Sequence, residues 1–360
     1  MSKERVFIIA EAGVNHNGSL PMAKKLVDVA VAAGADAVKF QTFRADQLAA
    51  VHAPKAEYQK VTTDAQESQY EMLKKLELSQ ADHFVLVEYC QQKKIQFLST
   101  PFDSESAEFL IKILNLPRLK ISSGEITTAP LLLQIARSGK PVILSTGMAI
   151  LGDIETALGI LAFGYLNLKN SPSVSAFMWA YASYEGQRIL KEKVTLLHCT
   201  SAYPAEFKDL NLMAIDTLKT AFGLPVGYSD HSLGITIPIA AVARGASVIE
   251  KHFTLDRNLP GPDHRASLEP DELKTMVQAI RDVELALGDG RKSPKVEEFK
   301  VQAVARKSLV ALKDIVVGEV FSEQNLGFKR PGNGISPIHY WEFLQRSARK
   351  SYQCGDLIEE

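Results

Sequence analysis

Eight short apolar runs alternate with eight segments of helical periodicity over residues 1–287, and this alternation predicts an α/β chain folded as a (β/α)8 TIM barrel. Most of the runs also end in polar or ionisable residues, as barrel strands do at the C-terminal rim where such enzymes keep their chemistry. The repeat then stops: Gly288-Asp289-Gly290-Arg291-Lys292-Ser293-Pro294 is a breaker, so residues 288–300 read as a linker and 301–360 as a small β-rich domain.

The expected strands are Phe7–Ala10, Ala37–Phe40, Gln96–Ser99, Leu119–Ser122, Val142–Ser145, Thr195–His198, Pro225–Tyr228 and Val248–Lys251. The expected helices cover about residues 20–33, 80–94, 104–114, 130–138, 153–162, 211–222, 234–244 and 270–287. Strands separated by helices pair in parallel through crossover units, and eight units close into a barrel. An open doubly wound sheet is the alternative. It would carry a glycine-rich phosphate turn after the first strand, and Glu11-Ala12-Gly13-Val14-Asn15-His16-Asn17-Gly18 lacks that spacing.

Two segments interrupt the repeat. Residues 43–79, with Ala56–Lys60 and the helix-like Glu67–Leu76, form a long connection on the C-terminal face that is expected to shape a substrate site. Residues 163–192, carrying Trp179, Tyr181 and Tyr184, lie on the opposite face and read as a packing or oligomer element. In the C-terminal domain, Ser308–Leu312, Ile315–Val317 and Gly327–Lys329 are β-prone and Ile338–Gln345 is helical. Sixty residues bury little core, so this domain is expected to lean on the barrel or a second subunit.

A chain of 360 residues, 46% hydrophobic and 23% charged, can bury a large core. Its net charge of −1 gives no overall pull toward nucleic acid or anionic membranes. No run reaches the ~18 apolar residues of a membrane span, and no leader precedes the first strand. Three widely spaced cysteines, Cys90, Cys199 and Cys354, suit a reducing cytoplasm.

The strand ends collect Glu11, Lys39, Gln41, Thr100, Lys120, Ser123, Glu125, Ser145, Thr146, His198–Tyr203, Ser229–His231, Lys251 and His252. His231 and His252 close the seventh and eighth runs, and two neutral imidazoles from adjacent strands suit a Mn, Fe, Co or Zn type divalent ion. Two separate strand-capping histidines are the plainer alternative. Lys39 and Lys120, beside hydroxyls of Thr100, Ser123, Ser145 and Ser229, form a cradle for phosphate. Either lysine could instead be an interior ion-pair partner, or form a Schiff base.

The ordered motifs AEAGVNHNGS, KFQTF, STPFD, KISSGE, LSTGM, LHCTSAYPA, GYSDHSLG, EKHFTLD, GPDH and KRPGNGI cover nearly the whole chain. Together they resemble the sialic acid synthase (N-acetylneuraminate synthase) family, including its N,N'-diacetyllegionaminate and spore-coat relatives. The resemblance implies a barrel followed by an antifreeze-like (SAF) domain, and a domain-swapped, head-to-tail homodimer in which that domain covers the partner's site. It implies condensation of phosphoenolpyruvate (PEP) with an N-acetylmannosamine-type sugar and release of phosphate. By motif, His231 and His252 would hold the metal, Mn in the usual case with Mg or Co as alternatives. Lys39, Thr100, Lys120, Ser123, Ser145, Ser201 and Ser229 would meet PEP; Gln41, Glu125, Tyr203, Asp263 and Arg330 would meet the sugar. Glu11 would manage the water that attacks C2, or be a structural strand-end carboxylate. The chain departs from the neuraminate enzymes at Ser201, where they often carry Asn, and in the longer 163–192 insertion. The rival enzyme is a 3-deoxy-octulosonate or 3-deoxy-heptulosonate type PEP aldolase, which needs a second phosphate site and no KRPGNG domain. The rival of another class is a non-catalytic carbohydrate- or ice-binding protein, which has no use for so many costly polar groups at one rim.

Overall fold

The computed structural model describes residues 5–359. They divide into two units after Gly288. In the first, every expected run is a strand: β1 Phe7–Gly13, β2 Ala37–Thr42, β3 Gln96–Pro101, β4 Leu119–Ile121, β5 Val142–Ser145, β6 Val194–Cys199, β7 Val226–Asp230 and β8 Val248–His252. They form one parallel sheet in the order β3-β2-β1-β8-β7-β6-β5-β4, and β3 lies beside β4 to close the barrel.

Side chains alternate across a strand, so each strand feeds the barrel interior at every second residue. The inner ring nearest the N-terminal ends is apolar: Ile9, Ala37, Leu98, Ile143, Leu197 and Val248 form one buried cluster. Gly227 completes it because nothing larger fits. A methyl group there would lie 2.6 Å from Leu197 Cδ2 and 2.7 Å from Val248 Cβ. The helices cover the outside. Leu20–Ala33, for example, starts where the Ser19 hydroxyl accepts from the Met22 amide, ends at left-handed Gly34, and buries Ala23, Leu26, Val27 and Ala30.

The excursion after β2 contains helices Ala45–Leu48, Glu57–Thr62 and Gln69–Leu76. Buried Lys55 ties it together, donating to Thr63 Oγ1 at 2.8 Å and Glu67 Oε1 at 3.2 Å, and the Gly261 amide donates to the Thr62 carbonyl at 3.2 Å. The later insertion is a pair of helices, Val174–Ala182 and Tyr184–Lys193, with Trp179 and Tyr184 exposed.

The second unit has its own core of Leu309, Ile315, Phe321, Leu326, Phe343, Tyr352 and Ile358 around an antiparallel pair, β9 Ser308–Ala311 and β10 Leu326–Lys329. The stretch read as a linker to residue 300 is corrected here: a helix runs from Val296 to Ala305. It has no buried residue, so there was no apolar stripe to betray it; its markers are Glu297 and Glu298 in the first turn, with Glu298 accepting from the Lys295 amide at 2.8 Å. Ile315–Val317 contributes a single bridge, from Ile315 to Tyr352. Among the described residues no helix is long and apolar enough to cross a membrane.

Candidate active site

Two residues beyond the apolar ring, on the same strands and the same inner face, the chemistry reverses. Glu11, Lys39, Thr100, Lys120, Ser145, Cys199, Ser229 and Glu250 line the floor of a cavity of about 450 Å³ at the C-terminal end of the barrel. Lys39 Nζ lies 2.8 Å from Glu11 Oε2 and 3.7 Å from Glu250 Oε2, and donates to Thr100 Oγ1 at 3.0 Å. Lys120 Nζ lies 3.7 Å from Glu250 Oε1 and donates to Ser145 Oγ at 2.6 Å. Ser229 Oγ donates to Glu250 Oε1 at 3.1 Å. Two cations thus flank one carboxylate, all but sealed from water, with hydroxyls at the edges.

One rung further out stand the histidines, their ring centroids 5.6 Å apart. His231 Nδ1 is 2.7 Å from the Thr200 carbonyl, which can only accept, so Nδ1 carries the proton and Nε2 keeps its lone pair. That is the usual outer-shell arrangement of a metal-binding histidine. His252 Nδ1 is buried without a hydrogen-bond partner, 3.9 Å from Asp263 Oδ2. Gly13, at φ +54°, leaves room for the ring, because a Cβ there would meet His252 Cε1 at 3.3 Å. The Tyr203 ring lies 4.2 Å from His231 and stacks at 5.1 Å on Tyr58, from the excursion after β2. These histidines fit a divalent ion as donors, through one free lone pair and one orphaned nitrogen. Among the described residues no three His, Cys, Asp or Glu side chains converge as a cage, so any ion held here takes its remaining positions from water and ligand.

The electrostatics separate the two carboxyls. Burial pushes Glu11 up, to about 7, although Lys39 pulls against it. Burial would raise Glu250 as well, but Lys120 and Lys39 outweigh it and hold it below the usual carboxylate value. Paired carboxyls driven apart in this way can be assigned distinct proton roles. Burial lowers both histidines, and His231 with Lys39, Lys251 and Lys120 adds to the effect on His252, so both rings favour the neutral form that donates a lone pair. Burial lowers Lys120, whereas the two glutamates outweigh burial and raise Lys39. Asp263 is raised to about 6 by burial.

Twelve of the fifteen residues singled out from sequence line this cavity: Glu11, Lys39, Gln41, Thr100, Lys120, Ser123, Ser145, Ser201, Tyr203, Ser229, His231 and His252. Glu125 is half-buried on the turn after β4, and Asp263 is buried beside His252; neither is among the lining residues. Arg330 is exposed in the second unit, at the end of β10. Lys251 and His198 do not belong to the rim's inner set. Lys251 points away from the cavity and pairs with Asp230 at 2.6 Å, and His198 Nε2 meets the Leu210 carbonyl at 2.7 Å. Glu250, the carboxylate between the lysines, was missed from sequence, yet strand alternation places it on the same face as His252. The excursion adds Tyr58, Gln59 and Gln69 to the cavity wall, and no strand period could reveal them. The AGVNHNG motif makes its contacts elsewhere. Asn15 Nδ2 donates to the Phe253 carbonyl at 2.8 Å and Ser267 Oγ at 2.9 Å, and Asn17 Nδ2 to the Pro260 carbonyl at 2.8 Å, which ties the β1 loop to the loop carrying Asp263.

Comparison with known proteins extends the match beyond this cavity. Residues 26–292 match the model of the NeuB family, and residues 306–352 match the SAF domain. The chain is 51% identical to N,N'-diacetyllegionaminic acid synthase of Campylobacter jejuni, over 99% of this chain and 100% of that protein. It is 49% identical to the Legionella pneumophila protein of the same name, over 92% and 87%. The crystal structure of N-acetylneuraminic acid (sialic acid) synthetase from Leptospira borgpetersenii, in complex with citrate, superposes with a TM-score of 0.65 at 37% identity, covering 83% of this chain and 90% of that one.

Proposed function

The chain belongs to the NeuB family, and from that membership we propose that it is a nonulosonate synthase making a sialic-acid-type sugar for surface polysaccharide. It condenses PEP with an N-acetylmannosamine-type acceptor and releases phosphate. The full-length 51% identity to a diacetyllegionaminic acid synthase carries this reading, and the polar ring supplies the matching chemistry. Because both relatives quoted at about half identity are named for that product, the acceptor assigned here is a 2,4-diacetamido sugar.

In this reaction C3 of PEP bonds to the aldehyde carbon of the open-chain sugar, whose oxygen gains a proton. Water adds to C2, and the tetrahedral carbon expels phosphate, leaving a keto group. Lys39 and Lys120 supply positive charge for the phosphate and carboxylate, with Thr100, Ser123, Ser145, Ser201 and Ser229 as hydroxyl partners; each charge-assisted bond contributes about 1.5–3 kcal/mol. Ionised Glu250 between the lysines keeps both protonated when the cavity is empty and limits how much charge the ligand must neutralise. Glu11, poised near neutrality, takes the proton from the attacking water. Gln41 and Tyr203 line the acceptor's end, with Asp263, Glu125 and Arg330 as further sugar contacts. His231 and His252 hold a divalent ion, Mn in this reading, which when bound polarises the aldehyde as a Lewis acid.

The working unit is a domain-swapped homodimer. Supporting it are exposed apolar side chains on the barrel's C-terminal loops, Met148, Ile150, Phe207 and Leu233, and others on the SAF unit, Val316, Val317, Ile338 and Trp341. All three cysteines are free, which accords with a cytoplasmic setting.

Phosphate release from PEP, with Mn²⁺ and either the 2,4-diacetamido sugar or N-acetylmannosamine, tests the reaction. We expect turnover with the first to exceed the second by about tenfold or more, as for a site that pairs with an extra polar group. Release with neither acceptor overturns the reading. For the dimer, an Arg330→Ala chain mixed with a His231→Ala chain should regain activity in heterodimers, since one barrel then meets an intact arginine. Heterodimers that form without recovering activity would place Arg330 outside the partner's site.

A further inference from the structure

Asp230 and Lys251 occupy the last rung of the β7–β8 ladder, directly opposite one another. Both are buried, at 1% and 0% exposure. Strand alternation turns them to the outer face of the barrel, while their neighbours Ser229, His231, Glu250 and His252 face the cavity. Every polar atom of this outer pair is committed. Lys251 Nζ donates to Asp230 Oδ2 at 2.6 Å and to the Ser232 carbonyl. Asp230 Oδ1 accepts from the Ser232 amide at 3.0 Å, the Ser232 hydroxyl at 2.8 Å and the Tyr228 hydroxyl at 3.3 Å.

His231 sits between Asp230 and Ser232, one residue past the end of β7. The strand's own hydrogen bonds therefore no longer hold it. What holds it is a turn closed on both sides by the outer pair, together with its own carbonyl accepting from the Ala205 amide at 2.9 Å. A buried ion pair typically adds little net stability over an apolar pair of the same shape. Stability alone therefore gives no reason to bury a lysine and an aspartate here. The geometry points to a different role: we infer that the Asp230–Lys251 pair is a positioning clamp that sets His231 against His252 from behind the strands. It fixes the backbone so that His231 Nδ1 meets the Thr200 carbonyl and Nε2 is left toward the cavity. Neither residue touches substrate; both act through the histidines.

The inference rests on reading His231 and His252 as ligands of a divalent ion, and the test separates the two. In the double variant Asp230→Asn/Lys251→Met no buried charge is left unpaired, and the side-chain amide that replaces the carboxylate keeps an oxygen for the Ser232 amide, so what is lost is the lysine's tie to Asp230 and to the Ser232 carbonyl. In metal-free protein, long-range ¹H–¹⁵N spectra report the His231 tautomer. We expect one Nδ1–H form in the wild type and a mixture in the variant. Mn²⁺ affinity, read by electron paramagnetic resonance, should weaken about 10–100-fold, the usual effect of losing an outer-shell partner, with the circular dichroism spectrum retained. A variant with a single tautomer and unchanged Mn²⁺ affinity would reduce the pair to a structural one and overturn the clamp. If the wild type binds no Mn²⁺, the metal reading fails and the tautomer alone decides the clamp. Should the double variant not fold, Asp230→Leu/Lys251→Met, which leaves neither a charge nor a polar side chain at the pair, is read in the same two ways.

Discussion

The barrel interior holds two rings of side chains that share strands and differ by two residues. Ile9, Ala37, Leu98, Ile143, Leu197 and Val248 make a dry floor, whereas Glu11, Lys39, Thr100, Ser145, Ser229 and Glu250 make a charged one directly above it. Both are buried, so burial does not distinguish them. The difference lies in what happens to desolvated groups. The lower ring gains free energy by leaving water, at roughly 25 cal/mol per Å² of apolar surface. The upper ring loses free energy unless each charge finds a partner, and it does so through one shared arrangement of two lysines and two glutamates. Stability and chemistry are thereby kept apart by a single strand period.

That contrast can be broken from either side. The largest free-energy effect is expected below: Leu98→Ala opens a cavity in the floor and should cost about 2–5 kcal/mol of stability, seen as a lower denaturant midpoint, with KM for PEP left where it was. A matching loss of PEP affinity would mean the two rings are coupled rather than separate. Above, His231→Ala or His252→Ala should lower condensation at least about a hundredfold, or about 2.7 kcal/mol, with the fold intact. Full activity in a chelator-treated, metal-free sample would end the metal reading.

The smallest effect sharpens the contrast within the upper ring. In the proposed reaction Glu11 acts as a base in the form without its proton, and burial raises its pKa to about 7. Activity should therefore fall as pH drops through that value, by about tenfold per unit below it. Glu250 is held below the usual carboxylate range, and burial moves both histidines down from the usual imidazole range, away from that value. In a pH series of kcat/KM the limb should be present in the wild type and absent from the residual activity of Glu11→Gln. A limb that survives the substitution belongs to another group, either Asp263, raised by burial to about 6, or the substrate.

Most of the fold was legible because the strands of a parallel barrel are buried on both faces and read as apolar runs. Legibility failed where burial was missing, as in the helix Val296–Ala305, which packs no face and so shows no stripe. At the site, the strand-end lysines and histidines were visible as polar residues interrupting apolar runs. The same signal misassigned Lys251 to the rim, because a run of Glu250-Lys251-His252 announces charge without saying which way each side chain turns. Applying the period of two would have exchanged Lys251 for Glu250.

What the sequence determined by itself is the eightfold repeat, the rim to which chemistry is confined, and a motif series specific enough to imply the reaction. These are local properties, carried by hydrophobic period and residue type within a few positions. Only the tertiary structure decided that Glu250 lies between Lys39 and Lys120, that Tyr58 stacks on Tyr203, and that Asp230 and Lys251 close behind the histidines. Each of those facts joins residues from separate strands or loops, so it depends on register and on which face is turned inward. Neither can be read from a run of residues until its neighbours are in place.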